Sequence, residues 1–406
     1  MNPPRTKQLP KLTQVEDYEP FVGAPAIERI QQKAKSLKGF HVANVNSTYY
    51  GGGVAELLTS MTILMNGLGV LTGWRTVHGR PDFFIVTKKM HNAMQGGEFR
   101  WTDRKMQTYE EVLYENSIRM HLKHDCVVVH DPHPLGLIHY YKKKSPWIWR
   151  CHIDLSQPDK SLWNYLAQSI NLYDAVILSS KDYAQDIKPP QHFFMPAIDP
   201  FTLKNRQLSD KEMGERLAHY RIPTDLPIVA QISRFDRWKD PEGVIRAFQI
   251  ARKKVDATLV LLGNMATDDP EGQEVFESLL KSQEDRIRVL AAGDDTALVN
   301  ALQARADVIL QKSFREGFGL TVTEAMWKGK AVIGGNAEGI RLQIQDGVNG
   351  FIVSSVEEAA DRIVQLLKDK DLRERMGQKA KETVREKFLL TRLLEQYLNL
   401  FLELKK

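Results

Sequence analysis

The residues best equipped for chemistry lie in Ser313-Phe-Arg-Glu-Gly-Phe-Gly-Leu-Thr-Val-Thr-Glu324, where two carboxylates, Glu316 and Glu324, flank a glycine-rich turn. Asp307 to Gln311 reads as a short buried strand and Leu320 to Trp327 has helical apolar spacing, so the turn holds a helix N-terminus open. Gly317 and Gly319 allow close approach of a ligand. The amides from Gly317 through Phe318, Gly319, Leu320 and Thr321, with the helix dipole behind them, attract anions and sugar oxygens. Glu324, about a turn inside the helix, suits a vicinal diol. Taken alone, the pair could equally be two solvated helix charges.

A second pair of groups, Arg234 and Lys239, falls in the loop after the strand Ile228 to Ser233, just before Asp240 as N-cap and Pro241 as first helical residue. Two cations at the carboxyl end of a strand can face a diphosphate, Arg in a bidentate manner and Lys as a point charge. Surface cations at a turn are the plain alternative.

The first half of the chain carries less charge. Ser47-Thr-Tyr-Tyr-Gly-Gly-Gly-Val-Ala-Glu56 is a glycine-rich strand-to-helix turn, but it has neither the Gly-Lys-Ser/Thr of a P-loop nor G-x-G-x-x-G, and a plain tight turn stays open. His130-Asp131-Pro132-His133 ends the strand that begins at Cys126, and His152 and Asp154 end the strand that begins at Trp147. Open parallel sheets bind ligands at such ends, although His152 and Asp154 could be polar loop residues. A metal site is not expected from His121, His124, Cys126, His130, His133 and His139, because strand alternation turns them different ways. Asp369-Lys-Asp371 lies in a polar stretch of the tail.

The elements that must carry these residues alternate strand and helix. After an extended arm, a helix is expected near 26–37, a first strand at 40–46, and helices at 57–67, from 82, and at 109–122. Strands follow at 126–131, 147–154, 173–180 and 193–199. A charged, turn-rich hinge over 204–227 precedes a second strand–helix series, with strands at 228–233, 257–263, 287–291, 307–311 and 330–335, and the chain is helical from 356 to its end. This predicts an α/β protein of two doubly wound, Rossmann-like domains, 1–222 and 223–385, with a final helical segment 386–406.

Composition fits two domains: 406 residues with 42% hydrophobic and 26% charged side chains. No run reaches the ~18 to 20 apolar residues of a membrane span, and the polar N-terminus lacks the apolar core of a signal peptide, so a cytoplasmic protein without a membrane partner is expected. A net charge of +5 gives no electrostatic footprint for nucleic acid. Cys126 and Cys151 sit in apolar contexts and read as buried free thiols.

Glu-x7-Glu after a strand, with Arg234 and Lys239 upstream, resembles the signature of the retaining nucleotide-sugar glycosyltransferases of family GT4, over about residues 40 to 400. The resemblance implies a GT-B fold, with two domains facing a cleft and the last helix crossing back to the first domain. It implies that Arg234 and Lys239 hold the departing diphosphate, that Glu316 holds sugar hydroxyls and Glu324 the ribose diol, and that His152 reaches the donor sugar. Gly52 and Gly53 would contact the donor, and Asp131 and Asp154 would lie on the acceptor side. The wording of Trp149 to Asp154, His130 to His133 and Gly73 to Thr76 is similar to members that join ADP- or UDP-glucose to free glucose. Another acceptor stays open, such as a sugar phosphate, fructose or a glucan, with Lys142 to Lys144 as the cationic run a phosphate would want. So do an epimerase and a non-catalytic sugar binder. No cofactor is required, though Mg2+ can enter with the diphosphate. Leucines in the tail leave a homodimer open.

Overall fold

The computed structural model describes residues 12–50, 52–263, 270–293 and 295–405; the arm expected before residue 12 and Gly51 lie outside them. Among the described residues, twelve strands form two separate six-stranded sheets, every pair parallel. The first sheet contains β1 (His41–Asn46), β2 (Leu71–Thr76), β3 (Cys126–His130), β4 (Trp147–Arg150), β5 (Ala175–Leu178) and β6 (Gln191–Phe193), in the order β2-β1-β3-β4-β5-β6. The second contains β7 (Ile228–Ile232), β8 (Thr258–Gly263), β9 (Ile287–Ala291), β10 (Val308–Gln311), β11 (Ala331–Gly335) and β12 (Phe351–Val353), ordered β12-β11-β10-β7-β8-β9.

Helices cover both faces of each sheet, so the strands are nearly continuous apolar runs whose alternate side chains feed different cores. Val127 and Val129 join one core of the first domain, while Cys126 and Val128 join the other. Ile228, Ala230 and Ile232 face one core of the second domain and Val229 the opposite one. Both cysteines are buried free thiols.

In each sheet the direction of winding reverses once. In the first it reverses between β1 and β3; in the second, between β7 and β10. Neighbouring connections there leave in opposite directions and open a crevice beyond the carboxyl ends of the strands. The residues singled out in sequence follow these four strands and β4.

The chain returns to the first domain through Leu389, which pairs with Ile198 in a parallel bridge. The helix Leu390–Leu404 then buries Leu390, Leu393, Leu394, Tyr397 and Leu400 in the core formed by Phe40, Val42, Leu57 and Met61. That stripe is therefore consumed inside the chain and is not the dimer surface its leucines left open. The helix Ala24–Ser36 lies beside it, and Lys33 pairs with Glu395 at 2.6 Å.

Several expectations need correcting. Residues 15–22 form two short helical turns instead of an extended arm. The helix expected from Tyr109 begins at Asp103, where Thr102 caps the amide of Lys105. The expected hinge contains the helix Asp210–His219, started by a reciprocal capping box between Ser209 and Glu212. The strand sought at 193–199 is Gln191–Phe193. Phe351–Val353 was not anticipated, since three residues between Gly350 and Ser354 give no usable period. Among the described residues no helix is long and apolar enough to cross a membrane.

Candidate active site

The second domain places its charged groups by tying two loops together. After β7, Asp236 caps a short turn by accepting from the Trp238 amide at 2.9 Å, and the Gln231 side chain donates to the Lys239 carbonyl at 2.8 Å. Asp240 takes a left-handed conformation (φ 49°), starts the helix Pro241–Ala251, and pairs with buried Lys312 at the end of β10. The Phe314 amide donates to the Trp238 carbonyl at 2.8 Å. Thus fixed, Lys239 Nζ stands 2.5 Å from Glu316 Oε2, with both side chains largely buried. Ser313 Oγ lies 3.4 Å from the same carboxylate oxygen. Arg234 stays half-exposed, 4.0 Å from Asp236.

The loop from Glu316 to Gly319 is held by its carbonyls. Tyr183 of the first domain donates its hydroxyl to the Glu316 and Gly317 carbonyls, at 3.2 Å each. The Gln343 amide nitrogen bonds the Phe318 carbonyl and lies 3.3 Å from that of Gly319. With the carbonyls turned back, no protein acceptor among the described residues engages the amides of Gly317, Phe318, Gly319 or Leu320. Gly319 has φ 84° at the helix start, and a Cβ on Gly317 would collide with the His152 carbonyl, so both positions require glycine. Opposite them, Gly52 precedes and Gly53 begins the helix Gly53–Gly67, and Gly53 faces the Leu320 side chain. The N-termini of two helices therefore meet across the cleft.

The first domain contributes neutral and hydrogen-bonded groups. Asp131 sits at φ 62° after β3, and its carboxylate accepts the His152 amide at 2.8 Å. Burial pushes Asp131 up to about 6, with the His152 amide and Arg150 opposing. Burial lowers His130 to about 3 and His133 to about 4, and it holds His152 well below the ordinary imidazole range. The three histidines are neutral at pH 7, whereas Asp131 is largely ionised.

Two expected ligands are engaged at the seam between the domains. Asp154 is buried, accepts the Ser156 amide at 2.8 Å, and lies 3.9 Å from Arg315, which also reaches Ser156 and Gln157. Glu324 is buried instead of open to the cleft: Lys204 lies 3.1 Å from it and also 2.9 Å from Glu56, while Gln303 donates at 3.1 Å. Burial opposes ionisation of Glu324, but Lys204 and Lys328 outweigh it and hold its pKa down. Lys142 to Lys144 precede β4 at the opposite end of the sheet, where Lys143 pairs with Asp174 at 2.9 Å.

Several groups escaped the sequence reading. Tyr183, Gln343 and Lys204 have no motif, and their partners lie far along the chain. His91, in the last turn of the helix Pro81–Met94, is half-buried and held well below its ordinary range, chiefly by desolvation and next by Arg234 from the other domain. His91 therefore lies within electrostatic reach of Arg234 across the cleft.

Comparison with known proteins bears on the family and the fold. Residues 44–185 match the family described as trehalose synthase, N-terminal domain, and residues 214–383 match glycosyl transferases group 1. A trehalose synthase of Thermococcus litoralis is 43% identical over 395 residues, 95% of this chain and 96% of that protein. The chain belongs to the trehalose synthase family of glycosyltransferases. A trehalose synthase of Rubrobacter xylanophilus is 36% identical over 404 residues, 96% of each chain. The fold matches that of a UDP-forming α,α-trehalose-phosphate synthase from Burkholderia xenovorans, solved with glucose 6-phosphate, at a TM-score of 0.73 and 12% identity, over 90% of this chain and all of that one. The two domains thus form the GT-B arrangement, and the enzyme transfers glycosyl groups in trehalose metabolism.

Proposed function

We propose that this trehalose synthase relative transfers glucose from a nucleoside-diphosphate glucose to free glucose, with retention at the anomeric carbon, and that it works reversibly. The observation that carries the reading is the 2.5 Å contact between Lys239 and Glu316, which joins a diphosphate-binding cation to a sugar-binding carboxylate beside open helix amides. In the transfer, the bond from the anomeric carbon to the phosphate oxygen breaks and its electron pair stays on the diphosphate. The acceptor oxygen bonds to that carbon from the same face, and its proton passes to the departing phosphate oxygen. Arg234, Lys239 and the amides of Gly317 to Leu320 stabilise the charge that builds on the phosphate, the kind of term that is usually largest. Glu316 orients sugar hydroxyls, and Glu324 receives the ribose diol once the Glu56–Lys204 contact opens.

A carboxylate nucleophile is not needed in this scheme, and the pair a retaining glycosidase would use, about 5 Å apart across the bond, has no counterpart in these assignments. We assign no Mg2+ site to the chain. At the diphosphate position the Glu316 carboxylate is already engaged by Lys239 and the other assigned groups are cations and amides, whereas Mg2+ is held through carboxylates, so any ion travels with the diphosphate. Lys142 to Lys144 lie at the wrong end of the sheet to receive an acceptor phosphate, which favours free glucose.

The test incubates the protein with UDP-glucose or ADP-glucose and glucose, glucose 6-phosphate, fructose or no acceptor, and measures nucleoside diphosphate release and products. Release that depends on free glucose, with trehalose formed, is expected. Release only with another acceptor overturns the glucose assignment, and epimerised donor without release overturns transfer.

A further inference from the structure

The first domain ends three neighbouring strands with polar side chains on one face. Along β1, β3 and β4 the face toward the helix Leu390–Leu404 carries Val42 beside Cys126, then Asn44 beside Val128 and Ile148, and one step further His130 beside Arg150, so that polar side chains take over toward the carboxyl ends. His152 lies just beyond. His130 Nε2 is 3.1 Å from Asn44 Oδ1, and His130 Nδ1 is 3.1 Å from His152 Nε2. The imidazole planes are 16° apart, and their 5.4 Å centroid separation is what an in-plane N···N contact of that length produces. The rings thus meet edge to edge instead of stacking.

With Asn44 Oδ1 as the atom facing His130, these contacts have one polarity for neutral rings. The carbonyl oxygen of Asn44 can only accept, so His130 carries its proton on Nε2. His130 Nδ1 is then the acceptor and His152 Nε2 the donor, which leaves His152 Nδ1 as a lone pair that no protein group engages among the described residues. We propose that Asn44 and His130 are positioning residues that lock His152 in the Nε2–H tautomer, so that its Nδ1 accepts a hydrogen bond from a donor-sugar hydroxyl. This rests on the reading of His152 as a donor-sugar ligand. The protein group on one ring nitrogen decides what the other presents. A donor-presenting His152 would instead oppose a hydroxyl whose proton must go elsewhere.

The charged and titratable surroundings fit a neutral pair. Arg150, fully buried on β4, donates to the Phe194 carbonyl at 2.7 Å; its charge favours the ionised form of Asp131 and disfavours an imidazolium at His130 or His152. Tyr397 of the crossing helix faces Arg150. Asp131 is held by the His152 amide, and on the second-domain side Gly317 abuts the His152 carbonyl, with Arg315 directed at Asp154.

The decisive measurement is the histidine side-chain 15N spectrum of the wild-type protein at pH 7, which reads tautomers without any turnover. Protons on Nε2 of both His130 and His152 are expected; a proton on Nδ1 of either ring overturns the proposal. Kinetics then connect the relay to function. His130→Gln preserves the polarity, with its amide donating to Asn44 and its carbonyl accepting from His152, whereas His130→Leu breaks it. His130→Leu should lose about ten- to a hundredfold in kcat, the usual cost when the partner orienting a functional histidine is removed. His130→Gln should recover most of that loss, with nucleoside diphosphate affinity unchanged in both. Equal activity in the two variants overturns the proposal. In Asn44→Asp the new carboxylate favours a His130 imidazolium, whose Nδ1–H reverses the tautomer of His152, so the acid limb of kcat should move to higher pH; an unmoved limb counts against the relay even if His130→Leu fails to fold. If the wild-type protein shows the expected tautomers but transfers no sugar, the donor reading fails and the relay stands.

Discussion

The two crevices that meet at the cleft solve different electrostatic problems. The second domain gathers charge: Arg234, Lys239 and Glu316 stand at the ends of β7 and β10, with Asp240 and Lys312 paired beneath them. The first domain keeps its histidines neutral: His130 is buried, His133 and His152 are half-buried, and all three are held below the ordinary imidazole range, while Asp131, pushed up to about 6, lies in the field of Arg150. A phosphate that leaves with increasing negative charge needs fixed cations and amides. A sugar that becomes electron-poor at its anomeric carbon is poorly served by cations, so neutral acceptors beside it suit the same step. One fold, duplicated, therefore supplies both environments by what it places after equivalent strands.

The largest effect should come from the charged side. Lys239→Ala and Glu316→Ala should each lower kcat/KM by about a thousandfold, as removal of a preorganised stabilising group does. The fold should persist, because both side chains reach into the cleft and not into a core. Steady-state kinetics with circular dichroism checks this, and near-normal turnover in either variant would remove the contrast between the domains. Next comes the place where they touch. Gly317→Ala puts a methyl group into the His152 carbonyl and should push the two sides apart, costing about a hundredfold in kcat, in line with small misplacements of reacting groups. Wild-type kcat in that variant would mean that the two sides need not approach this closely. His152→Ala should lower kcat by about ten- to a hundredfold, within the range for one positioned group, while calorimetry shows unchanged nucleoside diphosphate binding. Weakened nucleotide binding with normal kcat would move His152 out of the sugar site.

The same contrast explains what could be read from the chain beforehand. Charged sites announce themselves through local rules: Glu316 and Glu324 share one short segment with two glycines, and Arg234 and Lys239 precede an N-cap and a helix-starting proline. The parallel sheets were legible for a similar reason, since strands buried on both faces are apolar runs such as Cys126 to Val129. Neutral sites announce themselves less well. His130 was visible only as a strand-end histidine, and its bond to Asn44 joins residues 86 apart in sequence. The state of Glu324 depends on Lys204, whose charge within a turn-rich stretch reads as solvated until the domains are assembled. His91 occupies an ordinary helix position, and its importance appears only when Arg234 of the other domain is set opposite it.

The smallest expected effect separates the domains by pH. Burial lowers His130 to about 3 and His133 to about 4, so between these values and the ordinary 6.5 the unfolded chain binds protons that the folded chain refuses. Their contribution to stability is complete above pH 6.5 and is lost as pH falls, by up to about 1.4 kcal/mol per pH unit for each fully decoupled group. Asp131 works the other way: raised from 3.8 to about 6, it favours the folded state at low pH and loses that contribution as pH rises through 6. It therefore offsets roughly one histidine within the window, and among the described residues no carboxylate acts on His133 to cancel its share. The thermal midpoint should decline from pH 6.5 to 4, and His133→Asn should flatten the decline. A parallel decline in wild type and variant would mean that the acid sensitivity arises outside this neutral cluster, and the electrostatic division between the two crevices would lose its thermodynamic signature.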